Sequence, residues 1–337
     1  MNNSLQVRTL EVENLSVKIH TTHSVIQAVN KVSFKLHEGK TLAIVGESGS
    51  GKSILCKSIL RLLPKSAVVP QESRILFNGY DDLSFLSQKE FNKIRGREIA
   101  MIFQDPMSSL NPVMKVGKQI AESLLYHMGM KRNKARKKVI ELMKSVGIPM
   151  PEQLFDQYPH QLSGGICQRV AIAIALSCNP KLLIADEPTT ALDVTVQAEI
   201  LDLLAFRQAQ KRMSMILITH DLGVAMGRAD EIAVMYAGKI VEQAPVEKLF
   251  TNIRMPYTRA LMKSIPRLDN PPHTILACID GQPPDLANPA KGCCFAPRCS
   301  SVQDQCFKAE PLLIPDLKSE LNKDHLFACW YPTGEVR

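Results

Sequence analysis

The sequence predicts an α/β protein with a mostly parallel sheet, an antiparallel β subdomain, a helical insertion and a cysteine-containing C-terminal extension. Three observations carry this reading. A short apolar run, Leu42 to Val45, leads into a glycine-rich loop and then a helically spaced apolar segment; strand, loop and helix in that order cradle phosphate. Further apolar runs, Leu182 to Ala185, Met215 to Ile218 and Ile232 to Met235, are separated by helical stretches, as strands buried on both faces would be. Finally, 337 residues, 45% hydrophobic and 22% charged, suffice for a sizeable core in one large unit or two domains, which sets aside disordered, collagenous and disulfide-stapled classes.

Taken in order, the opening segment reads as strands, because Val32, Phe34 and Leu36 alternate with polar residues before a turn at 37–40. After the glycine loop, Ile54 to Leu63 has helical spacing and stops before Pro64. Arg74 to Phe77 followed by Asn78 and Gly79 predicts a second hairpin, and Ile99 to Phe103 a strand. From Val116 to Tyr158 the pattern is helical, with Val116, Ile120, Leu124 and Met128 on one face, and Pro159 closes the insertion. Beyond about Met255 the chain is richer in Pro and Cys. We therefore expect one domain over residues 1–255, its helical subdomain at about 107–165, and an extension over 256–337.

No run approaches the ~20 apolar residues of a membrane-spanning helix. The first residues lack the basic start and apolar middle of a signal peptide, so a cytoplasmic protein with its nine cysteines reduced is expected. A net charge of +8 favours anionic partners without choosing among nucleotide, nucleic acid and membrane surface. Part of that charge sits in Lys131 to Lys138, which leads into Val139, Ile140 and Met143 and reads as the solvated face of a helix.

The chemistry starts at Gly46, Glu47, Ser48, Gly49, Ser50, Gly51, Lys52 and Ser53, which match G-x4-G-K-[ST]. Glycines let the backbone form a nest of N–H groups; the lysine reaches the β and γ phosphates and the hydroxyl ligates Mg²⁺. A surface turn with an ordinary lysine is the competing reading, and the flanking strand and helix argue against it. The run Leu182 to Ala185 ends in Asp186 and Glu187: the first can hold Mg²⁺ through water, the second can polarise an attacking water. Leu162 to Gly165 precedes a helix, again an anion-binding end, although alone it is only a turn. His220 alone reads as a core histidine.

In this order and spacing the set resembles the ATP-binding cassette (ABC) family of P-loop, RecA-like NTPases, over about residues 8–255. Carried over position by position, the resemblance implies that Gly46 to Ser53 is the Walker A loop, Gln104 the Q-loop and a further Mg²⁺ ligand, and Ser163, Gly164 and Gly165 the signature. Asp186 is then the Walker B aspartate, Glu187 the catalytic carboxylate, Asp193 with Ala191 and Leu192 the D-loop, and His220 the switch histidine. In the family two such domains pair head to tail, and the signature of one closes over ATP held by the other. Two departures stand out: Ile166 occupies the fifth position of LSGGQ, and no aromatic matches the usual adenine-stacking residue, where Ile26 falls, with His20 and His23 close by.

The strings Phe103 to Pro112, Tyr158 to Gln161, Ala185 to Asp193 and Met255 to Leu261 are similar to ATPase subunits of dipeptide, oligopeptide and nickel importers. That resemblance implies docking on two membrane permeases fed by an external binding protein, a second ATPase subunit, a place on the cytoplasmic face of the inner membrane, and no nucleic-acid partner. A permease helix would enter the groove between the Gln104 loop and the helical insertion. In the extension, Cys293, Cys299, Cys306 and Cys329 are spaced C-x5-C-x6-C-x22-C, with Cys294 spare. Four thiolates suit a [4Fe-4S] cluster or tetrahedral zinc, and plain reduced thiols are the alternative. Two other readings compete. A soluble cassette ATPase acting on DNA or ribosomes would usually carry two cassettes or a long coiled coil, and a small-molecule kinase would leave the signature, Asp193 and His220 unexplained.

Overall fold

A computed structural model describes residues 7–80, 82–189, 193–265, 278–316 and 323–334. The first elements are β1 (Arg8–His20), β2 (Val25–His37), β3 (Thr41–Val45), α1 (Lys52–Ile59), β4 (Ala67–Val68), β5 (Arg74–Phe77), α2 (Gln88–Ile94), β6 (Ile99–Ile102), α3 (Pro106–Ser109), α4 (Val116–Met128), α5 (Arg132–Ser145) and α6 (Pro151–Leu154). There follow α7 (Gly164–Leu176), β7 (Leu182–Asp186), α8 (Val194–Lys211), β8 (Ser214–Thr219), α9 (Leu222–Arg228), β9 (Glu231–Tyr236), β10 (Lys239–Pro245), α10 (Val246–Thr251), α11 (Pro256–Lys263), α12 (Asp304–Lys308), β11 (Ile314–Pro315) and β12 (Leu326–Phe327). The chain divides into two compact units, the first formed by Met1–Thr9, Leu36–Lys40 and Phe77–Leu217, the second by Leu10–Lys35, Thr41–Leu76 and Ile218–Arg337.

In the first unit β6 and β7 pair in parallel. All five residues of β7 are buried, which is why the run reads as continuously apolar rather than alternating. Helices α4, α5 and α6 form within the segment expected to be helical: Val116, Ile120 and Leu124 of α4 are buried, whereas Met128 is exposed at the helix end. Gly117 lets α4 approach Phe155, whose ring lies 2.3 Å from where a Cβ would stand. Helix α5 buries Ala135, Val139 and Met143 and turns its basic run outward.

In the second unit the strand order is β11-β12-β10-β9-β3, with β3 and β9 parallel and β9, β10 and β12 antiparallel in turn. Beside it, β2-β1-β4 form an antiparallel subdomain in which β5 also pairs with β1. The hairpin expected at Asn78-Gly79 is therefore not formed: β5 finds its partner far back in the chain. Helix α1 stops at Ile59, short of the expected Leu63, because Arg61 is left-handed with φ 51°. The core of this unit joins Ala43 and Val45 of β3 to Val234, Tyr236, Tyr257, Cys293, Phe295 and Cys306. Among the described residues no helix is long and apolar enough to cross a membrane.

Candidate nucleotide site

The second unit presents the glycine loop at the end of β3. Gly46 is needed because a Cβ there would meet the Met235 carbonyl oxygen at 2.1 Å, and Gly51 because its φ is +104° and a Cβ would meet the Ala28 oxygen at 2.2 Å. The turn after β9 braces the loop, since Gly238 N–H donates to Ser50 O at 2.9 Å. Lys52 is buried, and its Nζ donates to the carbonyls of Gly46 at 2.8 Å and Glu47 at 2.9 Å. Its ammonium is thus carried at the centre of the loop, beside the N-terminus of α1, where Ser53 is half-buried and Ser48 and Gly49 are exposed. Such a nest can take phosphate oxygens.

His220 follows β8 and is exposed, so the core-histidine reading fails. It is held between Thr219, whose Oγ1 accepts from Asp221 N–H at 3.0 Å, and the start of α9, which Asp221 caps through Gly223 N–H at 2.7 Å.

In the first unit, Asp186 ends β7 and is 2% exposed. Glu187 next to it takes a left-handed φ of 46°, a conformation that costs a side-chain-bearing residue energy and turns its carboxylate out of the strand line. Gln104 Nε2 donates to Glu187 Oε2 at 3.1 Å, so two of the expected site residues meet directly. That bond leaves Gln104 Oε1 as the oxygen that can face a cation. The signature begins α7: Ser163 is its N-cap, accepting from Ile166 N–H at 3.4 Å, and Ser163 and Gly164 are exposed. Ile166, the departure from the usual motif, engages its neighbour through the backbone alone in that cap. Asp193 caps α8 through Val196 N–H at 2.9 Å, while Ala191 and Leu192 lie outside the described residues. Cys167 is a packing residue: its Sγ faces Pro159 O, and burial pushes the thiol up.

Three contacts escape a reading of the letters. Buried Gln168 donates to the carbonyl of Pro188, tying α7 to the turn that holds Glu187. Tyr257 Oη accepts the Glu47 N–H at 2.9 Å. Arg298 pairs with the Glu47 carboxylate through two nitrogens, at 2.6 and 2.9 Å. Neither Gln168 nor Arg298 stands in any of the motifs read from the sequence.

Cys293, Cys299, Cys306 and Cys329 all line one small cavity beneath Met255, Phe295 and Trp330. All are free thiols, and among the described residues no three His, Cys, Asp or Glu side chains are grouped to hold a metal ion. The four thiols of the expected metal centre thus share one cavity but, among the described residues, are not drawn together as ligands. Burial pushes Cys299 up and Cys329 up to about 12, whereas a hydrogen bond with Cys294 brings Cys293 down to about 7.

Fold and loop together define a P-loop nucleoside triphosphatase. The ABC transporter profile matches residues 29–190, and a profile for the oligopeptide/dipeptide transporter C-terminal region matches residues 241–306. The oligopeptide transport ATP-binding protein OppD of Bacillus subtilis is 52% identical, covering 90% of this chain and 85% of that one. The dipeptide transport ATP-binding protein DppD of Lactococcus lactis is 51% identical, covering 98% of each. A solved dimeric ATP-binding cassette in a post-hydrolysis state, bound to ADP and Pi, is 28% identical with a TM-score of 0.63, covering 70% of this chain and 98% of that one. The chain belongs to the ABC transporter family and is an ATPase of that family.

Proposed function

We propose that this chain is the ATP-hydrolysing subunit of a membrane importer for dipeptides or oligopeptides. The observation that carries the reading is the oligopeptide/dipeptide C-terminal region at residues 241–306, joined to near full-length likeness to peptide-transport ATPases. None of the relatives named above is a soluble factor for DNA or ribosomes, and that alternative is left without support.

In this reading Gly46 to Lys52 bind the phosphates, with Ser53, Gln104 and Asp186 to hold Mg²⁺; their hydroxyl, amide and carboxylate oxygens suit an oxygen-liganded hard cation. Glu187 takes the proton of the attacking water, Gln104 keeps that carboxylate turned outward, and His220 holds the γ-phosphate and the water. Ser163, Gly164 and Gly165 lend their N–H groups and hydroxyl to ATP on a second ATPase subunit, with Asp193 beside them. Residues 1–255 form the nucleotide-binding domain and 256–337 the extension. The groove in the first unit lined by Asn111, Met114, Tyr126 and His127 receives a permease helix. Two permeases, an external binding protein and attachment at the cytoplasmic face of the inner membrane complete the assembly.

The four thiols lining one cavity form a donor set suited to a [4Fe-4S] cluster, and in second place to zinc, which would tie together the C-terminal region. Anaerobic purification decides this: broad absorbance near ~400 nm supports the cluster, and a colourless protein with stoichiometric zinc removes it. For the function itself, affinity purification in detergent should bring down two hydrophobic permeases and peptide-stimulated ATPase activity. Co-purification of nucleic acid in their place overturns the importer.

A further inference from the structure

We infer that Arg298 is a positioning residue for the phosphate loop, neutralising and fixing Glu47 so that the loop can receive a triphosphate. The starting point is a chemical oddity: the second residue of an anion-binding loop is a carboxylate. Left alone, the Glu47 carboxylate would repel the phosphates that the loop exists to bind, since like charges are weakly screened where protein displaces water. Arg298 answers that charge with a bidentate pair, Nη1 to Oε2 at 2.6 Å and Nη2 to Oε1 at 2.9 Å. A guanidinium fork holds a carboxylate in one orientation, which a lysine point charge does not.

The clamp is itself built into the core. Arg298 is 5% exposed in its side chain, and its remaining hydrogen bonds run to Asp280 O at 2.9 Å, Ile279 O at 3.1 Å and Tyr236 Oη at 3.3 Å. Tyr236, Tyr257 and Phe295 pack ring against ring at centroid distances of 4.5 to 5.4 Å. From that cluster Tyr257 accepts the Glu47 N–H, and burial keeps its hydroxyl neutral by raising its pKa. The Glu47 carbonyl in turn accepts from Lys52 Nζ. Side chain, N–H and carbonyl of Glu47 are thus all held, and the last of these bonds passes the constraint to the phosphate-binding lysine. Contacts of this kind, made by the chain itself, hold the loop in one form and lower the cost of binding.

The inference concerns ATP affinity alone and is independent of what is transported. Arg298→Ala should weaken MgATP binding at least ~10-fold, seen as a raised Kd for a fluorescent ATP analogue and a raised KM, with kcat at saturation within about threefold. Arg298→Lys should recover part of the affinity. The telling variant is Arg298→Ala combined with Glu47→Gln: removing the bared carboxylate should make the double variant bind MgATP more tightly than Arg298→Ala alone. A purely structural role for Arg298 gives no such rescue. If the alanine protein does not fold by circular dichroism, Arg298→Gln, which can keep a bond to the carbonyls of 279 and 280, takes its place in the same cycle. A folded Arg298 variant with Kd within twofold of the parent, or a double variant no better than the single, overturns the inference. Failure of the parent to bind MgATP would instead count against the nucleotide site.

Discussion

Glu187 combines three properties that a water-activating base requires: a carboxylate, partial exposure, and an orientation fixed by a neighbour. Its left-handed backbone lifts it out of β7, and Gln104 holds one oxygen at 3.1 Å. Asp186, one residue earlier and buried, has the opposite environment, and in the proposed site that division between adjacent acids would separate cation holding from proton transfer. Glu187→Gln keeps the size and one hydrogen-bonding oxygen but cannot take a proton. We expect MgATP binding within a few-fold of the parent and phosphate release slowed at least ~100-fold, the usual worth of a positioned base. Near-normal turnover by this variant would remove Glu187 from the role. At this scale the Gln104–Glu187 contact was foreshadowed in the sequence, because both residues stand in motifs that a phosphate site requires at a set spacing. Arg298 was not, because its partner lies 251 positions away and an arginine among cysteines announces nothing about a loop near the other end of the chain.

Among the elements, the buried strands were the most legible. β3, β7 and β8 are buried along their whole length, so no alternation interrupts the apolar run. Pairing was less so. Asn78-Gly79 carries a hairpin signal, yet β5 joins β1, since turn chemistry states only that the chain reverses, not which edge it meets. Equally silent was β12, whose two residues pair with β10. Near that junction Glu242 is wholly buried, accepts the N–H groups of Arg254 at 2.7 Å and Met255 at 3.2 Å, and meets His325 Nε2 at 2.8 Å. Arg254 pairs with Asp316 at 3.3 Å, both nearly buried. Removing one partner of such a buried set leaves the other uncompensated. His325→Ala should therefore destabilise the fold by about 3 kcal/mol, read as a lower denaturant midpoint at unchanged slope. A midpoint equal to the parent's would show that Glu242 is satisfied by its two N–H donors.

For the molecule as a whole, the two ends of the mechanism make different demands on binding. The signature end offers exposed Ser163 and Gly164 at the head of a 13-residue helix, an N-terminus with N–H groups and a positive dipole turned to solvent. In the proposed assembly a second chain carrying ATP would supply the negative charge that such an end attracts, and the chain's net charge of +8 would oppose self-association until that charge is present. Triphosphate should therefore act as the adhesive. To move a pair from about 1% to 99% closed takes about 5.5 kcal/mol of differential affinity, within reach of two sets of charge-assisted phosphate contacts. The prediction is that Glu187→Gln saturated with MgATP closes into a dimer with itself or with a related ATPase subunit, whereas MgADP leaves it monomeric. Sedimentation velocity reads this directly, and raising salt should loosen the closed state because its contacts are ionic. A protein that binds MgATP tightly yet sediments as a monomer, alone and with the related subunit, would sever nucleotide binding from closure and leave hydrolysis with no motion to drive.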